Sequence, residues 1–148
     1  EEETASLGYG VGRFVYRSRR PFHSGRFYLF LRMAWPGVLR SKGVFWLVSE
    51  ADTMWVWSQA GQTREYFPGG GWLATLPRSE WQHEHLPEAE IERIWHPEHG
   101  DRRQEIAFIG IDMSQEVLTQ ALNWCLVTEE EMALASWQND PMVESLFA

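Results

Sequence analysis

Between Val11 and Arg17 the side chains alternate, with Phe14 and Tyr16 on one face and Arg13, Val15 and Arg17 on the other. Successive Cβ atoms of a strand point to opposite sides of its sheet, so this pattern commits one face to a core and the other to solvent or a partner. The same period recurs over residues 38–49. A turn at Glu50-Ala51-Asp52 then leads into residues 54–59, where Trp55 and Trp57 share a face. Two adjacent antiparallel strands are expected there. A third segment, residues 63–67, runs into Pro68-Gly69-Gly70-Gly71, which reads as a breaker.

Helical spacing appears at three places. Phe27, Phe30, Leu31 and Trp35 share a stripe over residues 24–35, with Ser24 as the expected N-cap and Pro36 as the stop. Residues 114–126 place Val117, Leu118, Ala121, Leu122 and Cys125 on one stripe behind Ser114. Thr128-Glu129-Glu130-Glu131 has the spacing of a capping box. Residues 104–111 read as a buried strand, with Ile106 and Phe108 on one side and Ala107, Ile109 and Ile111 on the other. Residues 77–100 form an irregular excursion with a short helix over 87–95.

The order is β-α-β-β-β-(α)-β-α, followed by one more short helix. Strands and helices that do not alternate strictly predict an α+β fold: a mainly antiparallel sheet with its helices packed on one side. Residues 1–8 read as a linker remnant and 9–148 as one domain, a size that suits a single core. No apolar run approaches the ~18 residues that a membrane span needs, and the acidic start does not resemble a signal peptide. The single cysteine, Cys125, offers neither a disulfide nor a thiolate zinc cluster and lies on an apolar stripe.

The net charge of −8 disfavours nucleic acid as a partner. The charge is unevenly spread: residues 1–64 hold 9 Arg or Lys against 5 Asp or Glu, and residues 65–148 hold 4 against 16. Arg13, Arg17, Arg19 and Arg20 stand close together in the basic half. They are either a solvated strand edge or a contact surface for an acidic neighbouring domain or a phosphate. Trp55 and Trp57 are the second candidate for contact, since aromatic and Arg side chains dominate interface hot spots.

Catalytic patterns are missing. Gly69-Gly70-Gly71 is followed by Trp72 where a phosphate loop needs Lys and Ser or Thr, and no serine occupies a G-x-S-x-G elbow. No catalytic residue is assigned. Histidine gives the one constellation for metal: His83, His85, His96 and His99 lie within seventeen residues on both sides of the short helix. Imidazole with carboxylate suits zinc, although exposed loop histidines have the same spacing. His23 is expected to support a turn.

Five strings, in order, resemble the C-terminal domain of the CobW family of P-loop GTPases, a group of proposed zinc and cobalt metallochaperones. They are Gly12-Arg13-Phe14-Val15-Tyr16-Arg17 with Arg19-Arg20-Pro21-Phe22-His23; Trp35-Pro36-Gly37-Val38-Leu39-Arg40-Ser41-Lys42-Gly43; Trp57-Ser58-Gln59-Ala60-Gly61; Gly100-Asp101-Arg102-Arg103-Gln104-Glu105 leading into Phe108-Ile109-Gly110; and Leu126-Val127-Thr128-Glu129-Glu130-Glu131. The resemblance implies an accessory domain of a GTP-hydrolysing parent; the lack of a span or signal-peptide pattern predicts a cytoplasmic location, and the lack of a phosphate loop predicts no nucleotide site on this chain. GTP and magnesium are expected on an N-terminal GTPase domain, which carries the family's Walker A loop and C-x-C-C metal motif. That domain is the implied partner, with a client metalloprotein as the second. On this chain the only cofactor it suggests is zinc, at the histidines.

Overall fold

The computed structural model describes residues 5–8, 10–81 and 86–133. Strands β1 (Ala5–Gly8), β2 (Val11–Ser18), β3 (Val38–Phe45), β4 (Thr53–Ala60), β5 (Thr63–Gly71) and β6 (Gln104–Ile111) form one antiparallel sheet in the order β1-β2-β6-β3-β4-β5. The helices are α1 (Ser24–Leu31), α2 (Glu88–Ile94), α3 (Gln115–Cys125) and α4 (Glu129–Ala133). β6 pairs antiparallel with both β2 and β3. β2 and β3 therefore run parallel to each other, joined through α1, and the last strand in sequence fills the gap between them. The α+β reading and the helices on one side hold.

The core lies between α1, α3 and one face of the sheet. Phe14 and Tyr16 from β2, Ile106 and Phe108 from β6, Phe45 from β3 and Trp57 from β4 meet Phe27, Phe30, Leu118 and Leu122 from the helices. Trp57 sits at its centre, with the rings of Trp35, Phe27 and Phe108 at 5.3, 5.7 and 5.9 Å. Its indole N–H is satisfied inside the core, donating to Ser41 Oγ at 2.8 Å, and Ser41 in turn donates to Gln59 Oε1 at 2.7 Å. A buried indole without such a partner would cost about 1–3 kcal/mol. Gly43 lets β3 and β6 approach here, because a Cβ at that position would lie 2.0 Å from Glu105 O.

Several boundaries differ from the sequence reading, each for a local reason. Residues 5–8, within the segment read as a linker, pair with β2 as an edge strand. α1 ends at Leu31, where the amides of Arg32 and Met33 close back on Leu29 O and Phe30 O and the Trp35 indole donates to Phe30 O. His23 caps α1 by accepting from Arg26 N at 3.1 Å, while Ser24 Oγ is engaged with Ser49 Oγ at 2.6 Å. The strand over 38–49 stops at Phe45 and turns through a 3-10 segment, Val48–Glu50. β5 continues through Pro68 to Gly71, which an edge strand tolerates because one row of its backbone N–H groups needs no ladder partner. β6 buries one face only, and Val117, placed on the apolar stripe of α3, is exposed.

The capping box at Thr128 forms as its spacing predicts: Thr128 N donates to Glu131 Oε1 at 2.7 Å, and Glu131 N donates to Thr128 Oγ1 at 3.1 Å. Ser114 caps α3 through Val117 N. No helix among the described residues is long and apolar enough to cross a membrane.

Candidate functional site

The second face of the sheet lies opposite α1 and α3, and α2 reaches it only at the end that carries Arg17 and Glu105. β2 places Arg13, Val15 and Arg17 there, and β6 places Ala107, Ile109 and Ile111 beside them. Lys42 of β3 stands opposite Ala107, Arg40 opposite Ile109, Val44 opposite Val56 of β4, and Val56 opposite Phe67 of β5. Ile109, Ile111 and Phe67 are 37%, 41% and 47% exposed. A solvated sheet face is ordinarily polar. This one is an apolar strip from Ile111 to Phe67 set among the cations Arg13, Arg17, Arg40 and Lys42. Its acidic members include Glu105, paired with Arg17 at 3.7 Å and Arg103 at 2.7 Å.

The residues singled out for contact divide. Arg13 and Arg17 lie on this open face. Arg19 points elsewhere: its guanidinium donates to the carbonyls of Ile94, Gly100 and Arg102, and burial lowers its pKa from the ordinary value. Arg20 donates to Val127 O at 2.9 Å. Both are occupied in holding loops to the body of the domain. Trp57 is 1% exposed and Trp55 is half-buried against Phe45, both on the core face. The shared face read from their spacing is real, but it turns inward. Sequence reading missed Arg40, Lys42, Ile109 and Ile111 as surface, because apolar residues on both sides of β6 look like a strand buried twice.

The second constellation is the turn between α2 and β6. His96 and Gly100 exchange two backbone hydrogen bonds of 2.8 and 2.9 Å, and Gly100 takes the left-handed φ of +66° that closes the turn. Arg19 ties Ile94, Gly100 and Arg102 together from below. The neighbouring Asp101 carboxylate accepts from Leu73 N and Ala74 N, both at 2.9 Å. On this fixed turn the rings of His96 and His99 stack with centroids 4.9 Å apart, and one donor atom from each of His96, Glu98 and His99 lies within 4.8 Å of the other two. His99 packs on Trp46 at 5.4 Å. Burial first, and the neighbouring His96 second, lower its pKa below the ordinary histidine value, against the opposing Glu98.

Two of the four histidines named from sequence are thus brought together. His83 and His85 lie outside the described residues. Glu98, between the two histidines in sequence, joins them, and the His-Pro-Glu-His string was the signal for it. Two imidazoles and a carboxylate are a donor set that zinc accepts. Cys125 offers no nucleophile: it is fully buried, its Sγ faces Arg26 O and Ala121 O, and burial pushes its thiol up to about 12.

A split sheet with its last strand inserted at the centre, helices on one side and this string order define a class. Residues 11–126 match the model of the cobalamin synthesis protein cobW C-terminal domain, and the chain belongs to that family. It is 38% identical over 133 residues to a zinc-regulated GTPase metalloprotein activator 1 of Dictyostelium discoideum, covering 87% of this chain and 28% of that protein. It is 28% identical over 147 residues to the zinc chaperone Rv0106 of Mycobacterium tuberculosis, covering 87% of this chain and 35% of that one. The chain thus spans about a third of the relatives it matches. The crystal structure of Zn(II)-bound YjiA GTPase from E. coli shares the fold with a TM-score of 0.52 at 15% identity, over 80% of this chain and 30% of that one.

Proposed function

We propose that this domain is the accessory contact module of a cytoplasmic, GTP-hydrolysing zinc metallochaperone, and that its open sheet face seats against the GTPase domain. One observation carries the reading: the apolar strip of Ile109, Ile111 and Phe67 is exposed and framed by Arg13, Arg17, Arg40 and Lys42. Exposed apolar strips rimmed by charge mark interaction surfaces. The chain as a whole carries −8, so the cations on this face select a partner surface with acidic groups around an apolar centre. A second copy docked through the same face would set cation against cation.

In this reading GTP and magnesium belong to the GTPase domain, and the domain described here catalyses nothing. Its task is to hold the GTPase domain in one orientation and release or turn it as nucleotide changes, giving a client metalloprotein access to the cargo zinc. That coupling requires the open face to make different contacts in the two nucleotide states. The test is to mix the domain with its separated GTPase domain, loaded with GDP or with a non-hydrolysable GTP analogue. Association that differs between the two, with altered GTP turnover, supports the reading. Absence of association in both, beside an active intact parent, removes it.

A further inference from the structure

The turn at His96–His99 is built to hold its shape without metal, and that sets a condition on any cation that enters it. His96 Nδ1 accepts from the amides of Glu98 and His99, at 3.0 and 3.2 Å. A neutral imidazole has one acceptor nitrogen, so in this state Nε2 bears the ring proton. A cation bound through Nε2 requires the proton to move to Nδ1, which then cannot accept from the two amides. A cation bound through Nδ1 occupies the same lone pair directly. By either nitrogen, ligation by His96 ends both hydrogen bonds, and no net proton need be released from the ring.

We propose that His96, Glu98 and His99 form a site for a single divalent cation with the ligand preferences of zinc, and that filling it releases the Glu98 and His99 amides from His96. The three donors, with water, complete four coordinates. The surrounding frame stays in place, because the His96–Gly100 backbone pair and the three Arg19 bonds do not use the imidazoles. The change is therefore confined to residues 97–99, on a turn whose Arg19 anchor comes from the end of β2. The surrendered hydrogen bonds offset part of the ligation energy, which makes this a weak, exchangeable site in keeping with handing a cation on. His83 and His85 are not required.

The test uses the full chain and zinc alone. Competition against a chromophoric chelator measures binding, and backbone amide NMR in the same titration reads the turn. One zinc per chain is expected, with affinity lowered at least tenfold in His96→Ala and in Glu98→Gln. Both side chains sit in an exposed to half-exposed turn, so both variants fold. His83→Ala/His85→Ala should bind as the parent does. The Glu98 and His99 amide signals should move strongly on saturation, and that of Gly100 little. Absence of binding, binding retained in His96→Ala/Glu98→Gln, loss confined to His83→Ala/His85→Ala, or saturation that leaves the Glu98 and His99 amides in place would each overturn the proposal.

Discussion

Gln104 holds the peptide of Trp46 at both ends: its Oε1 accepts from Trp46 N at 2.8 Å, and its Nε2 donates to Trp46 O at 3.0 Å. The same Nε2 donates to Arg20 O at 3.0 Å. Gln104 is fully buried at the start of β6, and this one side chain joins the ends of β2 and β3 across the strand inserted between them.

Gln104→Leu keeps the volume and removes these bonds, leaving Trp46 N and Arg20 O without their partner, while Trp46 O keeps the Phe22 amide at 3.0 Å. The expected loss is about 2 kcal/mol or more, at about 1–3 kcal/mol for each buried group left unpaired. Urea denaturation of the two proteins checks it. A lowered midpoint with an unchanged slope is the expected result.

Arg26 gathers the C-terminal segment onto α1, donating to Trp124 O, Leu126 O and both carboxylate oxygens of Glu131. The Arg26 hydrogen bonds, chiefly, hold the Glu131 carboxyl at about 2, with the Thr128 amide adding to them and burial opposing. The folded value lies below the unfolded one, so the contribution is complete above pH 4.5 and is lost as pH falls from there toward 2. Glu131→Gln should cost about 1–2 kcal/mol at pH 7, the scale of a partly buried charge-assisted pair, and much less at pH 2.5. Thermal unfolding at the two pH values reads the difference.

His23 caps α1 only while its Nδ1 is free to accept. Burial first, and the Arg26 charge second, lower its pKa below 6.5, with Glu131 opposing. For a base with a lowered folded value, the unfolded chain takes the proton first, so stability is complete above pH 6.5 and declines as pH falls below it toward the folded value. His23→Asn keeps a capping oxygen without titrating. Its stability between pH 7.5 and 5.5 should change less than that of the parent.

Cys125 should resist iodoacetamide at pH 8, since burial holds its thiol protonated at about 12 and no path from solvent reaches Sγ. Labelling is expected only after unfolding, which makes it a direct probe of α3 opening. Rapid native labelling would contradict the packing described.

What was legible in the sequence was mostly local. Ser114 and Thr128 act on residues three positions away, and the alternation of β2 and β6 states which residues share a face, so these could be read in place. Strand order could not, because periodicity says nothing of neighbours, and β6 finds its partners 86–100 residues upstream and 61–72 upstream at once. Arg19, Gln104 and Asp101 look like surface polar residues in the sequence, and their backbone partners exist only after the sheet closes. The open face was half legible: Arg13 and Arg17 announced it, while Ile109 and Ile111 were assigned to a core by their chemistry. The turn from His96 to His99 was visible as the string His-Pro-Glu-His, yet the hydrogen bonds at His96 Nδ1 belong to the folded turn.

The most direct test of the contact role is a binding titration between this domain and its separated GTPase domain, comparing the parent with Ile109→Asp. Ile109 is exposed on the open face opposite Arg13 and Arg40, so the substitution leaves the core intact and should not change the melting temperature appreciably. The account predicts at least a tenfold loss of affinity in the variant, with further weakening of the parent complex as salt is raised. Equal affinity of Ile109→Asp and parent would contradict it.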